Sequence, residues 1–134
     1  TSVVYLKEGT NKNFLIIDAG MNDLLRPAIY DAEHEILPVI EERNNHNQIV
    51  ADIVGPICES SDVFSKNTTL PKMTSGDLLA IYSAGAYGAV MSSEYNSRPL
   101  IPELIVNENL VSVVRSRPKI EDVIKRDQIP YWLR

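Results

Sequence analysis

The only cysteine of the chain, Cys58, stands in Gly55-Pro56-Ile57-Cys58-Glu59-Ser60-Ser61-Asp62. A thiol beside a carboxylate, behind a Gly-Pro turn and ahead of a polar run, belongs on a loop near solvent or a ligand. Placed there, it can act as an acid, a nucleophile or a metal ligand. The competing reading is a buried small hydrophobe, the commonest fate of a lone cysteine. Its polar neighbours weigh against that. With no second cysteine, an internal disulfide is excluded.

Three further segments carry groups that could do chemistry. Asp18 to Tyr30 places Arg26 and Tyr30 four residues apart, so they converge if Pro27 opens a helical turn. A guanidinium fork with a phenol is a receptor for a carboxylate; the alternative is a surface arginine and a half-buried tyrosine. Ser83-Ala84-Gly85-Ala86-Tyr87-Gly88-Ala89 surrounds one phenol with small residues. Such a segment lets backbone approach a ligand while Tyr87 projects into the gap, or it forms a tight strand crossover. Met91 to Pro99 reads as a polar loop of the kind that edges sites or interfaces. His34 and His46 lack the paired spacing of a zinc site and read as solvated residues, so no metal is expected. Gly85-Ala86-Tyr87-Gly88 is not a dinucleotide fingerprint, and no phosphate loop ends in Gly-Lys-Ser/Thr.

The elements that must position these groups are mostly strands. Thr1 to Lys7 and Asn13 to Asp18 form a hairpin across Glu8 to Lys12, and the apolar Phe14 to Ile17 predicts a strand covered on both faces. Asn22 to Tyr30 is a helical stretch limited by Pro27, with Arg26 ending one turn or preceding the next. His34 to Ile40, Gln48 to Val54, Gly76 to Ser83, Glu103 to Asn107 and Leu110 to Arg115 also read as strands, the last two joined by a short loop at Asn107 to Asn109. Ile120 to Arg126 is a terminal helix with Glu121 and Asp122 first and Lys125 and Arg126 last, as the helix dipole favours. The apolar tail Pro130 to Leu133 is expected to pack down and bury Trp132. The pattern predicts an all-β sandwich or barrel with short helices.

With 134 residues the chain suffices for one domain spanning 1–134. A net charge of -5 argues against nucleic acid or an anionic membrane as partner. No apolar run approaches the roughly 20 residues that cross a bilayer, and no basic-then-apolar leader opens the chain. One cysteine makes a cytoplasmic, reducing setting the default. A first residue of Thr1 rather than Met, directly in a strand, reads as a piece of something longer.

Taken together and in order, the motifs resemble the C-terminal part of the diaminopimelate decarboxylase family, enzymes that use pyridoxal 5'-phosphate to make lysine. The family pattern Asp-Ala-Gly-Met-Asn-Asp-Leu-x-Arg-Pro-Ala-x-Tyr appears as Asp18 to Tyr30, and Gly-Pro-x-Cys-Glu-Ser-x-Asp as Gly55 to Asp62. Gly76 to Leu79, Ala84 to Gly88, Met91 to Asn96 and Arg98-Pro99 follow, and Arg117-Pro118 with the Glu121-Asp122 helix fits the ending. The departure is Ser61, where the family often carries glycine.

The resemblance implies a Greek-key β-sandwich or barrel, the C-terminal domain of alanine-racemase-like decarboxylases. It implies that Arg26 and Tyr30 hold the distal carboxylate of meso-2,6-diaminopimelate and Glu59 its distal ammonium. Cys58 would donate the proton, and Tyr87 would touch both substrate and pyridoxal phosphate. The physics agrees with this division: the substrate has two amino-acid ends, and fixing the far one presents the near one to the cofactor.

The family's TIM barrel, with its Schiff-base lysine, phosphate-binding glycines and a further substrate arginine, has no counterpart in this chain. In the family the active site forms between two subunits of a homodimer, the Cys-Glu loop reaching into the partner's barrel. The isolated chain is therefore expected to be inactive. A strand supplied from before the barrel would be missing, leaving an open edge that invites self-association. Rival readings are a relative acting on ornithine, arginine or carboxynorspermidine, a non-catalytic regulatory relative, and a free-standing β-domain with its own ligand. Ornithine-type members show Cys-Asp where this chain has Cys58-Glu59, and their substrate has no distal carboxylate for Arg26. The joint presence of Arg26, Cys58, Glu59 and Tyr87 argues against a dead relative.

Overall fold

β-Branched runs divided by Gly, Asn and Pro turns become strands, and the short helices fall between them. The computed structural model describes residues 1–40 and 47–133, so the reading of His46 lies outside the described residues. β1 (Val3–Lys7) and β2 (Asn13–Ile17) form the expected antiparallel hairpin. β4 (Gln48–Val54) has its expected bounds and pairs with β2 in parallel, Leu15 opposite Ile53. A parallel pair cannot be closed by a tight turn and needs a long crossover. That crossover carries α1 (Arg26–Tyr30) and β3 (Ile36–Pro38). β5 (Val63–Pro71) completes a four-stranded sheet of order β1-β2-β4-β5, and β3 pairs with β6 (Leu79–Ile81). α2 (Gly88–Met91), β7 (Glu103–Asn107), β8 (Leu110–Arg115) and α3 (Ile120–Ile124) follow. The chain is thus mainly β with short helices, as expected, and contains no TIM barrel among the described residues. It forms two compact units, Thr1–Ser92 and Ser93–Arg134. Among the described residues no helix is long and apolar enough to cross a membrane.

The core of the first unit joins Leu15, Ile17, Ala51 and Ile53 of the central strands to Val3, Leu24, Ile36, Phe64, Leu70, Met73 and Leu79. Leu15, Ile17 and Ile53 are fully buried, each contributing on the order of 2 kcal/mol from apolar burial. β2 is covered completely on one face and partly on the other, since Phe14 and Ile16 are half-buried.

Several expectations change. β5 was not foreseen as a strand. Its middle, Ser65 to Thr69, is polar and breaks the apolar signal, and Asn67 takes the left-handed region at φ 52°. The register slips opposite it, and the buried Asp52 carboxylate accepts the Asn67 N–H at 2.8 Å while pairing with Lys12 Nζ at 2.5 Å. This is a bulge stapled by a charge. The expected strands 34–40 and 76–83 shorten to β3 and β6, because Gly76 at φ 89° and Ser83 at φ 55° turn the chain on either side of β6. α3 stops at Ile124, and Arg126 instead meets Glu94 through two bonds, Nη1–Oε2 at 2.6 Å and Nη2–Oε1 at 2.5 Å. The tail does not pack down. Tyr131 and Trp132 stack edge-to-face at 5.0 Å in a short turn, and Trp132 stays 70% exposed. A three-residue turn is too short to bring a covering surface of its own.

Candidate active site

The first half of the site is the turn that leaves β2. Gly20 accepts the Asp23 N–H at 2.8 Å and returns its own N–H to Asp23 Oδ2 at 2.9 Å, while Asn22 Nδ2 donates to Asp23 Oδ1 at 3.0 Å. Asn22 and Asp23 are buried, and the turn itself supplies partners for their polar atoms. Leu24 then enters the core, and the helix opens at Arg26 with Pro27 in its first turn. Proline fits there because its missing N–H has no partner to lose. Arg26 and Tyr30 therefore lie one helical turn apart on the same helix, as the spacing predicted. Asp31, at φ 51°, ends α1.

Asp18, which starts this segment, is structural. Burial pushes its carboxyl up, but bonds from Thr1 Oγ1, Ser2 N–H and Ser2 Oγ outweigh that and hold it below the usual carboxylate range.

The second half is the loop between β4 and β5. Gly55 N–H donates to the Asp62 carbonyl at 3.0 Å and closes it. The Asp62 side chain, 2% exposed, turns inward: Oδ2 accepts the Ile57 N–H and Oδ1 the Met21 N–H, both at 2.7 Å. A Cβ on Gly55 would fall 2.3 Å from Asp62 Oδ2, so only glycine admits the carboxylate. Ile57 is buried against Gly20, and Cys58 and Glu59 are left exposed at the tip. The sulfur is not core filler.

The third segment brings Tyr87. It caps α2 in the left-handed region, φ 60° and ψ 11°, which costs an L-residue roughly 1 kcal/mol. Such outliers collect at functional sites. Its phenol is 63% exposed, and the Arg26 guanidinium carbon lies 6.0 Å from the ring centroid, at the outer reach of a cation–π contact. Gly88 is buried with Leu24 Cδ1 about to touch an added Cβ at 4.0 Å, which seats α2 on the Met21–Leu24 turn. Among the described residues, its two chain neighbours aside, nothing lies within 4 Å of a Cβ built on Gly85, so no contact with them calls for its smallness.

The structure therefore joins Arg26 to Tyr87 directly and ties the Cys58–Glu59 loop to the turn before Arg26 through Asp62. A groove of about 520 Å³ runs beside them, lined by Pro27, Ala28, Asp31, His34, Ser61 and Lys66 among others, but Arg26, Cys58, Glu59 and Tyr87 do not line it. Cys58, Glu59 and Tyr87 stand instead on open surface, and Arg26 is half-buried. His34 is not solvated as expected: Nδ1 lies 2.9 Å from the Tyr82 carbonyl, which makes it the donor, and Nε2 is buried. Two features escaped sequence reading, the inward turn of Asp62 and the left-handed Tyr87. A glycine and an aspartate bracketing a short loop were the available signal for the first; none marked the second.

Residues 1–85 match the family described as "Pyridoxal-dependent decarboxylase, C-terminal sheet domain". A diaminopimelate decarboxylase of Zymomonas mobilis is 45% identical over 133 residues, 99% of this chain and 31% of that protein. The diaminopimelate decarboxylase of M. jannaschii, solved with L-lysine, superposes with a TM-score of 0.91 at 39% identity over 98% of this chain and 30% of that one. The Helicobacter pylori enzyme, also solved with L-lysine, gives a TM-score of 0.85 at 45% identity over 94% of this chain and 30% of that one. The chain spans about a third of the length of these relatives. It belongs to the pyridoxal-dependent decarboxylases and represents their C-terminal sheet domain.

Proposed function

We propose that the protein to which this chain belongs decarboxylates meso-2,6-diaminopimelate to L-lysine and carbon dioxide, and that residues 1–134 form one C-terminal domain supplying the distal half of its site. One observation carries the reading. A guanidinium, a phenol, a carboxylate and a thiol are braced onto a single turn, the last three exposed and the guanidinium half-buried, and none of them lines the groove beside them. Such a set is complete only when a second surface closes over it.

Arg26 and Tyr30 bind the distal carboxylate, a fork and a hydroxyl for one anion. Glu59 takes the distal ammonium. These opposite charges admit only one orientation of the far end, so the near amino-acid end is the one that reacts. An ornithine-type substrate leaves Arg26 without its anion, which disfavours that alternative.

The exposed Tyr87 ring and the unfilled space at Gly85 fit a flat aromatic group laid against this rim, and we assign Tyr87 a contact with pyridoxal 5'-phosphate, its main anchors lying in barrel polypeptide beyond this chain. When bound, that cofactor supplies the sink for the electron pair left as the carboxylate departs. Cys58 gives its S–H proton to the carbon that lost the carboxylate, and the thiolate recovers a proton from water. The closing surface is the barrel of a second subunit in a homodimer, and a reducing cytoplasm keeps the thiol available.

The test is made in the full-length enzyme. Cys58→Ala lowers kcat roughly 10²- to 10⁴-fold with KM for diaminopimelate changed little. Near-normal turnover removes Cys58 from the reaction, and robust lysine production by residues 1–134 alone removes the shared site.

A further inference from the structure

The groups assigned to substrate stand on two loops distant in sequence, and a loop is placed only as well as it is fastened. One side chain fastens both. The buried Asp62 carboxylate accepts the Met21 N–H through Oδ1 and the Ile57 N–H through Oδ2, each at 2.7 Å. Ile57 directly precedes Cys58, and Met21 opens the turn that delivers Arg26. The third contact is steric: Gly55 presses its backbone against the same carboxylate and donates its N–H to the Asp62 carbonyl.

We propose that Asp62 is a positioning residue, setting the thiol and carboxylate of Cys58–Glu59 relative to the Arg26–Tyr30 pair; the inference rests on the functional reading above. The chemistry requires an anion here. Two N–H donors converge on one side chain, and only a carboxylate offers two acceptor oxygens in one plane. An amide of the same shape satisfies one donor and turns its own NH₂ against the other. The loop then detaches at one end, and Cys58 drifts from the carbon it must protonate. A misplacement near 1 Å costs on the order of 100-fold in a reaction that depends on alignment.

A residue that merely stabilises the domain costs the same whatever stands at position 58. A positioning residue does not, because once the thiol is gone no proton donor is left to misplace, and kcat no longer depends on where the loop holds it. The experiment is a double-mutant cycle in the full-length holoenzyme, combining Asp62→Asn with Cys58→Ala and measuring kcat and KM for diaminopimelate, with thermal melting to verify folding. Asp62→Asn alone is expected to lower kcat roughly 10- to 100-fold, but less than about threefold further in the Cys58→Ala background. Asp62→Glu, which keeps the charge and displaces both oxygens, lowers kcat in the same Cys58-dependent way and carries the cycle if the Asn variant does not fold. Equal losses in both backgrounds, or unchanged kcat in Asp62→Asn beside a crippled Cys58→Ala, overturn the positioning role alone. A Cys58→Ala enzyme with near-normal turnover overturns the functional reading and this inference with it.

Discussion

The two units of the chain use the same strand-forming residues to opposite ends. In Thr1–Ser92, β2 and β4 bury Leu15, Ile17, Ala51 and Ile53 almost completely. In Ser93–Arg134, β7 and β8 are as rich in Leu, Ile and Val, yet Leu104, Ile105, Val106, Leu110, Val111, Val113 and Val114 are each more than half exposed. Strands pair in both units: Ile105 faces Ser112 and Val106 faces Val111, as Leu15 faces Ile53. The difference teaches that backbone pairing and burial are separate events. β-Branched residues and a two-residue turn suffice for a ladder, whereas a core requires a further layer to cover the face. Every side chain of the candidate site lies in the unit that has that layer. The Asp62 clamp works because the turn and the loop it joins rest on β2, β4 and β5.

The contrast can be broken by substitution, the largest effect coming first. Ile53→Ala should cost the chain about 2–5 kcal/mol, transfer and cavity together, measured by denaturant unfolding; a loss below about 1 kcal/mol would mean that the first unit lacks a packed core. Next, Asp18→Ala should cost about 1 kcal/mol near neutral pH, because it removes the charged acceptor for Thr1 and Ser2 at an exposed site. The sign in pH follows from its lowered carboxyl. The stabilisation is present above the ordinary carboxylate range and lost as pH falls through the depressed folded value. Parent and variant should therefore converge in acid; a constant gap down to strongly acidic pH contradicts the assignment. The smallest effect is expected in the second unit. Val111→Thr, on an exposed ladder position, should change stability by no more than about 0.5 kcal/mol. A loss comparable to Ile53→Ala would show that its face is covered in solution.

The chemistry was more legible than the architecture that holds it. Arg26 and Tyr30 could be placed on one helix from a proline and a spacing, and Cys58 on an exposed tip from Gly-Pro and a polar run, since turn and helix-start rules act over a few residues. β4, β7 and β8 were read to their exact ends because each is dominated by Leu, Ile and Val, with Asp52 and Ser112 the single polar interruptions inside β4 and β8. β5 was missed for the converse reason. Its strand passes through Ser65 to Thr69, where pairing with β4 and the Asp52–Asn67 bond override weak local preference. Trp132 was expected to be buried because a large ring is costly in water, but the four residues from Pro130 to Leu133 bring no cover of their own.

Residue order alone determined which groups could react, the character of the strands and the family to which the motifs point, because these depend on side-chain chemistry and on contacts close in sequence. Folding in three dimensions decided that Arg26 meets Tyr87, that Asp62 turns inward to bind Met21 and Ile57, and that the assembled groups face outward together. Those outcomes depend on the parallel pairing of β2 with β4, a long-range contact that no local preference encodes and whose crossover happens to carry the helix that the site requires.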